Sequence, residues 1–147
     1  MCYNERMIEK AKKEDLSQIY NISNYFFDWK ISQLEECVLD ESMIFLVEKN
    51  ENEVVGFLIA QNLLDSVNLL LIATKKQCQN KGIASNLLSQ LEKIVTKKNI
   101  SKIWLEVKDS NLCAIKFYEK HNFKFLTRRK RYYSSGEDAL IYEKNAF

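Results

Sequence analysis

The chain has 147 residues, 46% of them hydrophobic and 29% charged, with a formal net charge of +2. That balance fits one water-soluble domain with a core of its own, and it gives no strong pull toward nucleic acid or an acidic membrane. No apolar run approaches the ~20 residues that cross a bilayer, and the opening MCYNERMIEK lacks the apolar stretch of a signal peptide, so a cytoplasmic location is expected. The four cysteines, Cys2, Cys37, Cys78 and Cys113, lie far apart without C-x-x-C spacing, and His121 is the only histidine. This argues for free thiols and against a metal site. With no proline and three glycines, asparagine is left to take some turns, because it tolerates the left-handed backbone.

In chain order, Met7–Ala11 alternates weakly and predicts a short strand. From Asp15 onward, Leu16, Ile19, Tyr20, Phe26 and Phe27 follow a helical stripe. Ser32–Glu35 has capping-box spacing and predicts a second helix through Leu39. Met43–Val47 and Val54–Ala60 read as strands around the polar turn Lys49–Glu53. Asp65 and Ser66 then turn the chain into Leu69–Ala73, an apolar run that predicts a strand buried on both faces. Thr74–Lys81 is polar. From Gly82, the residues Ile83, Leu87, Leu88, Leu91, Ile94 and Val95 recur at helical spacing to about Asn99.

Lys102–Val107 predicts another buried strand. Asp109 or Ser110 can cap a helix carrying Leu112, Ala114, Ile115 and Tyr118, with Asn122 ending it in place of glycine. Phe123–Leu126 and Ala139–Tyr142 predict a last pair of strands, with a basic and aromatic connection, Arg128–Tyr133, between them. The order β-α-α-β-β-β-α-β-α-β-β predicts a single α/β (α+β) domain over residues 1–147. Its sheet should be mixed, mostly antiparallel and twisted, with helices on both faces.

A buried strand, a polar loop with glycine and an amphipathic helix make the layout of an anion site. The first N–H groups of the helix have no intrahelical partner, and its dipole adds positive charge there. Gly82 permits close approach of a ligand, and the small Ala84 and Ser85 keep it clear. Gln79-x-x-Gly82-x-Ala84 lacks the third glycine of a dinucleotide fingerprint and the Gly-Lys-Ser/Thr of a P-loop. It resembles the Gln/Arg-x-x-Gly-x-Gly/Ala signature of GNAT-superfamily N-acetyltransferases.

The resemblance widens downstream. Leu105-Glu-Val-Lys-Asp-Ser-Asn-Leu-Cys-Ala-Ile-Lys-Phe-Tyr118, His-Asn-Phe123, Arg131-Tyr-Tyr133 and Glu137-Asp-Ala139 follow one another. They are similar to the L-E-V-R-x-S-N-x-x-A-x-x-L-Y, x-G-F, R-x-x-Y-Y and E-D-A of the ribosomal-protein alanine N-acetyltransferase subfamily. Phe26-Phe-Asp-Trp29 looks like its aromatic segment before the second helix, so the likeness runs from about Phe26 onward. There are departures: Asn122 and Ala84 stand for glycines, Asn80 and Ser85 for frequent arginines, and Asp28 for a proline.

The resemblance implies a GNAT fold and an acyltransferase that uses acetyl-CoA as co-substrate and needs no metal. It implies that Gln79, Asn80, Lys81, Gly82, Ile83, Ala84 and Ser85 hold the coenzyme's pyrophosphate. Ile72, Ala73 and Thr74 would meet pantetheine and the acetyl group through backbone groups, as a strand edge pairs with a peptide, and one N–H would stabilise the thioester oxygen. Asn111 matches an asparagine that hydrogen-bonds the coenzyme; on the residues alone it reads equally as a helix cap.

Acetyl transfer needs a deprotonated amine, since an α-ammonium has a pKa of ~8, and a proton for the leaving thiolate, whose thiol has a pKa of ~8.5. Glu106 sits between Leu105 and Val107 on the face of Trp104. On the residues alone it is either a base among apolar and aromatic neighbours or a wet side chain paired with a lysine; the resemblance favours the base. Tyr118 reads as a core aromatic from its spacing and as the general acid from the resemblance. Cys113 has no histidine near it in sequence to activate it and His121 has no partner there, so direct transfer is expected rather than an acyl-enzyme.

The resemblance places Trp29, Glu106, Arg131, Tyr132 and Tyr133 beside the acceptor. It implies a protein N-terminal α-amine as acceptor, with the N-terminal alanine of ribosomal protein S18 as the specific expectation. A small-molecule amine or a lysine is the alternative. Basic and aromatic residues at Arg128–Tyr133 also suit nucleic acid, but the net charge lends that reading no support. A coenzyme-binding domain without catalysis is disfavoured by the presence of both Glu106 and Tyr118.

Overall fold

The computed structural model describes residues 6–146. Its elements follow the expected order: β1 (Arg6–Lys10), α1 (Leu16–Phe26), α2 (Ile31–Leu39), β2 (Met43–Asn50), β3 (Glu53–Asn62), β4 (Val67–Thr74), α3 (Ile83–Lys97), β5 (Lys102–Lys108), α4 (Leu112–Lys120), β6 (Lys124–Arg129) and β7 (Ala139–Asn145). The strands form one seven-stranded sheet in the order β1-β2-β3-β4-β5-β7-β6. Neighbours are antiparallel except β4 and β5, which run parallel. Cys37, Cys78 and Cys113 are free thiols; Cys2 lies outside the described residues.

Side chains near the helix ends explain several boundaries. Gln33 Oε1 accepts from Lys30 N at 2.8 Å, so α2 is capped from Lys30 and not from Ser32. Asn111 Oδ1 accepts from Ala114 N at 3.2 Å, which makes Asn111 the cap of α4 in place of Asp109 or Ser110. Asn122 follows α4 with φ +69°, and Asn52, Asn80 and Asn99 also hold positive φ, so asparagine does the work of glycine at these turns. The last hairpin is longer than expected. Arg128 and Arg129 belong to β6 and register against Leu140 and Ala139 of β7.

Each face of the sheet carries its own core. α3 and α4 cover one face, where Leu58, Leu69, Leu87, Leu88, Leu105 and Tyr118 belong to one cluster. α1 and α2 cover the other, with Ile19, Leu34, Phe45, Phe57, Leu71 and Ala73. Leu34, Phe57, Leu87 and Leu88 are fully buried, and each such side chain contributes ~1.5–3 kcal/mol by leaving water. Gly56 lies against α3 because space demands it: a Cβ there would sit 2.6 Å from Ile83 Cγ2 and 3.1 Å from the Ala73 carbonyl oxygen.

β4 departs from the expected strand buried on both faces. Ile59 of β3 registers with Leu71 and Ala60 with Leu69, so Leu70 is an extra residue, a bulge. The bulge reverses the faces: Val67 and Leu69 lie in the α3/α4 core, Leu71 and Ala73 in the α1/α2 core. Leu70, Ile72 and Thr74 are only half-buried. The bulge also marks a parting. β4 and β5 pair only at Val67–Leu69 with Ile103–Leu105; beyond that β4 stays with β3 and β5 with β7. A gap opens between them.

Candidate active site

The gap has an unpaired strand edge on its β4 side. Lys75 N donates to Val55 O at 2.8 Å, which turns Lys75 toward β3. Backbone groups of alternate strand residues point to opposite edges. Ala73 is therefore directed to β3 as well, whereas the N–H and C=O groups of Ile72 and Thr74 face the gap. Of the three residues expected to offer backbone groups, Ala73 does not, because the β3 ladder uses them.

The loop after β4 ends in the N-terminus of α3. Gly82 has φ +79° with nothing within 4 Å of where a Cβ would stand, and Asn80 has φ +63°. The first intrahelical bond runs from Asn86 N to Gly82 O, which leaves the N–H groups of Ile83, Ala84 and Ser85 without helical partners. Gln79, Asn80 and Lys81 are exposed beside them. Arg6 Nη1 donates to the Lys81 carbonyl at 3.1 Å and lies 3.7 Å from Glu48 Oε2. Glu48 is 1% exposed and accepts from Asn86 Nδ2 at 3.4 Å. Burial pushes its carboxyl above the ordinary carboxylate range, against the pull of Asn86 and Arg6. Sequence reasoning missed this network, because nothing in the spacing of β2 marks Glu48 as turned inward.

β5 borders the other side. Ile103, Leu105 and Val107 belong to the α3/α4 core, so Trp104, Glu106 and Lys108 face the opposite way. Tyr118 enters that core from α4, edge-on to Phe117 at 5.5 Å and to Phe123 at 5.6 Å. Burial holds its phenol far above the ordinary tyrosine value, so it stays protonated. Glu106 has Ile141 opposite it on β7 and polar company beside it. Its side chain is 20% exposed, and Arg129 Nη1 lies 3.4 Å from Oε1. The nearby Glu106 carboxylate raises the Tyr132 phenol.

The remaining acceptor-side residues cluster unevenly. Trp29 is half-buried against the α1/α2 core, on the face of Glu106. Tyr132 and Tyr133 meet edge-on at 5.2 Å, and Lys108 Nζ lies 5.3 Å from the Tyr133 ring. Burial pushes the Tyr133 phenol up. Arg131 makes the turn, with φ +52° and its N–H donating to Asp138 Oδ1 at 2.9 Å. Arg128 holds Asp109 at 3.2 Å and Asp138 at 2.7 Å, tying the hairpin to the approach of α4. Arg129 was read as part of a connection; its strand position is what brings it to Glu106. His121, which the sequence leaves without a partner, lies 2.9 Å from Ser85 Oγ.

A strand edge with free backbone groups runs into a helix N-terminus rich in N–H, with a paired carboxylate on β5 and a buried phenol on α4. The model of the acetyltransferase (GNAT) family matches residues 6–123. The chain belongs to this family. The GNAT chain is 31% identical over 143 residues to the [ribosomal protein bS18]-alanine N-acetyltransferase of Haemophilus ducreyi, covering 92% of this chain and 97% of that protein. It is 30% identical over 153 residues to the N-alpha-acetyltransferase of Saccharolobus solfataricus, covering 91% and 89%. The crystal structure of the ribosomal-protein-S18-alanine N-acetyltransferase from Escherichia coli superposes with a TM-score of 0.88 at 28% identity, over 97% of this chain and 94% of that one. As a GNAT enzyme it is an acetyl-CoA-dependent N-acetyltransferase. Asn111 has its Oδ1 engaged as a cap, which leaves its amide N–H groups as the donors it can offer.

Proposed function

We propose that this GNAT enzyme acetylates the α-amino group of a protein N-terminus, with the N-terminal alanine of ribosomal protein bS18 as its acceptor. The observation that carries this reading is the position of Glu106. Its carboxylate stands on the face opposite Tyr118, the face that also carries Trp29, and near Tyr132 and Tyr133, where an acceptor can approach without crossing the coenzyme. The choice of acceptor follows relatives of that activity, matched along nearly their whole length.

Acetyl-CoA supplies the acetyl group as a thioester. The N–H groups at Gly82–Ser85, with Gln79, Asn80 and Lys81, hold the pyrophosphate. Ile72 and Thr74 pair with the amides of the coenzyme arm, and an N–H directed into the gap stabilises charge on the thioester oxygen. Glu106 takes the proton that an α-ammonium, of pKa ~8, must lose before it attacks. Arg129 fixes the carboxylate's direction. Tyr118 gives a proton to the departing thiolate, and its buried phenol is kept protonated for that step. Holding both reactants at one gap can itself lower the barrier by ~7–11 kcal/mol. Trp29, Arg131, Tyr132 and Tyr133 line the acceptor's path.

The test follows free thiol with purified protein, acetyl-CoA, and either a peptide with the bS18 N-terminus or a panel of small amines and lysine. Thiol release with the peptide and one added acetyl at its N-terminus supports the reading. Release only with small amines or lysine overturns the acceptor while leaving the enzyme class intact.

A further inference from the structure

Ser85 and His121 form a hydrogen-bonded pair that joins the first turn of α3 to the end of α4. His121 Nε2 lies 2.9 Å from Ser85 Oγ, and Nδ1 lies 3.0 Å from the Phe117 carbonyl oxygen. A carbonyl only accepts, so Nδ1 carries a hydrogen whatever the charge of the ring. In the neutral imidazole Nε2 is bare and accepts the Ser85 hydroxyl hydrogen. In the protonated ring the bond reverses: Nε2–H donates to Ser85 Oγ, and the hydroxyl hydrogen is released to turn outward.

Ser85 stands among the N–H groups assigned above to the pyrophosphate, and the inference rests on that assignment. The seat is short of fixed charge. Lys81 is its only loop cation after Gln79, since Asn80 and Ser85 are neutral. We propose that His121 is a proton-linked positioning residue for acetyl-CoA. The pyrophosphate selects the protonated ring, and the reversed bond makes the Ser85 hydroxyl a phosphate donor. One solvent proton binds Nε2; no other covalent bond changes.

The ring is half-buried and stacks on Phe117 at 4.4 Å and 28°. The first turn of α3, Ile83–Asn86, has no ionisable side chain. On α4 the ionisable neighbours are Tyr118, held in the core; Glu119, which accepts from the Tyr142 hydroxyl at 3.0 Å; and Lys120. Among the described residues His121 makes no ion pair. An anion that favours the charged ring binds more tightly as pH falls, and the gain is lost as pH rises through the histidine range.

The experiment is calorimetric titration of acetyl-CoA into wild type, H121Q and H121K, at about pH 5.5 and 8.5, which bracket histidine titration. A phosphate monoester such as the coenzyme's 3′-phosphate titrates near ~6, so the quantity read is the affinity ratio of wild type to H121Q. That ratio is expected to rise ~3- to 10-fold toward low pH, one pKa unit being tenfold. Wild type takes up protons on binding, seen by varying the buffer's ionisation heat, and H121Q takes up fewer. H121K keeps a permanent charge and its affinity relative to wild type improves at high pH; it serves if H121Q does not fold. A flat ratio, or equal proton uptake in wild type and H121Q, overturns the role of His121 and leaves the seat standing. No acetyl-CoA binding by wild type overturns the seat and this inference together.

Discussion

Glu106 of β5 and Tyr118 of α4 stand on opposite faces of the sheet: Tyr118 lies in the α3/α4 core with Leu105 and Val107, and Glu106 points away from it. In the reading proposed above, the base then meets the acceptor on one face and the acid meets the coenzyme on the other. The two can be removed separately.

Glu106→Gln keeps the shape but abolishes the basic oxygen pair. Turnover should fall ~10²–10⁴-fold, most at low pH where the amine is largely protonated, with acetyl-CoA affinity unchanged. Steady-state rates across pH, beside a binding titration, check both halves. Wild-type turnover would remove Glu106 from the mechanism.

Tyr118→Phe removes one oxygen from a ring packed on Phe117 and Phe123. The fold should survive with its melting temperature nearly unmoved, while turnover drops ~10- to 100-fold. If melting falls and turnover per folded molecule does not, Tyr118 is only a core residue.

Glu48 makes a statement about acid and stability. Its carboxyl is raised by burial, so the folded state binds that proton more tightly than the unfolded chain. The contribution is fully present below the unfolded value and is lost as pH rises through the folded one. Glu48→Gln should therefore be ~1 kcal/mol more stable than wild type at neutral pH, the difference vanishing below about pH 4. Denaturant unfolding at the two pH values decides it. A loss at neutral pH would mean that the pairing with Arg6 and Asn86 outweighs burial.

Gly56→Ala places a methyl 2.6 Å from Ile83 Cγ2, so the first turn of α3 must move. A stability loss of ~1–3 kcal/mol is expected, with weaker acetyl-CoA binding because Ile83 begins the seat proposed for the pyrophosphate. Unfolding curves and a binding titration measure the two. Unchanged values in both would show that α3 is not seated through Gly56.

Element order was legible because buried helices and strands repeat their apolar residues at distinct periods. The bulge at Leu70 was not: a run of Leu and Ile has no alternation to reveal a change of face. The extent of β6 was hidden for the opposite reason. Every residue from Lys124 to Arg129 is exposed, so no pattern marks where pairing ends. Glu106 and Tyr118 were located by motif, but their partners were out of reach. Arg129 is 23 residues from Glu106, Asn86 is 38 from Glu48, and His121 is 36 from Ser85. Such pairs exist only once the topology has closed.

The three residue pairs between β4 and β5 have a mechanical meaning. β1–β4 and β5–β7 are two half-sheets, and their hydrogen-bonded seam is shorter than any other in the molecule. A coenzyme arm lying along Ile72 and Thr74, as proposed above, would act as a stitch across it, supplying the ladder that the parted strands lack. Catalysis and cohesion would then share one place: the ligand that brings the acetyl group would also fasten the halves. Amide exchange at Ile72, Thr74 and the end of β5 should slow on binding more than anywhere else in the sheet.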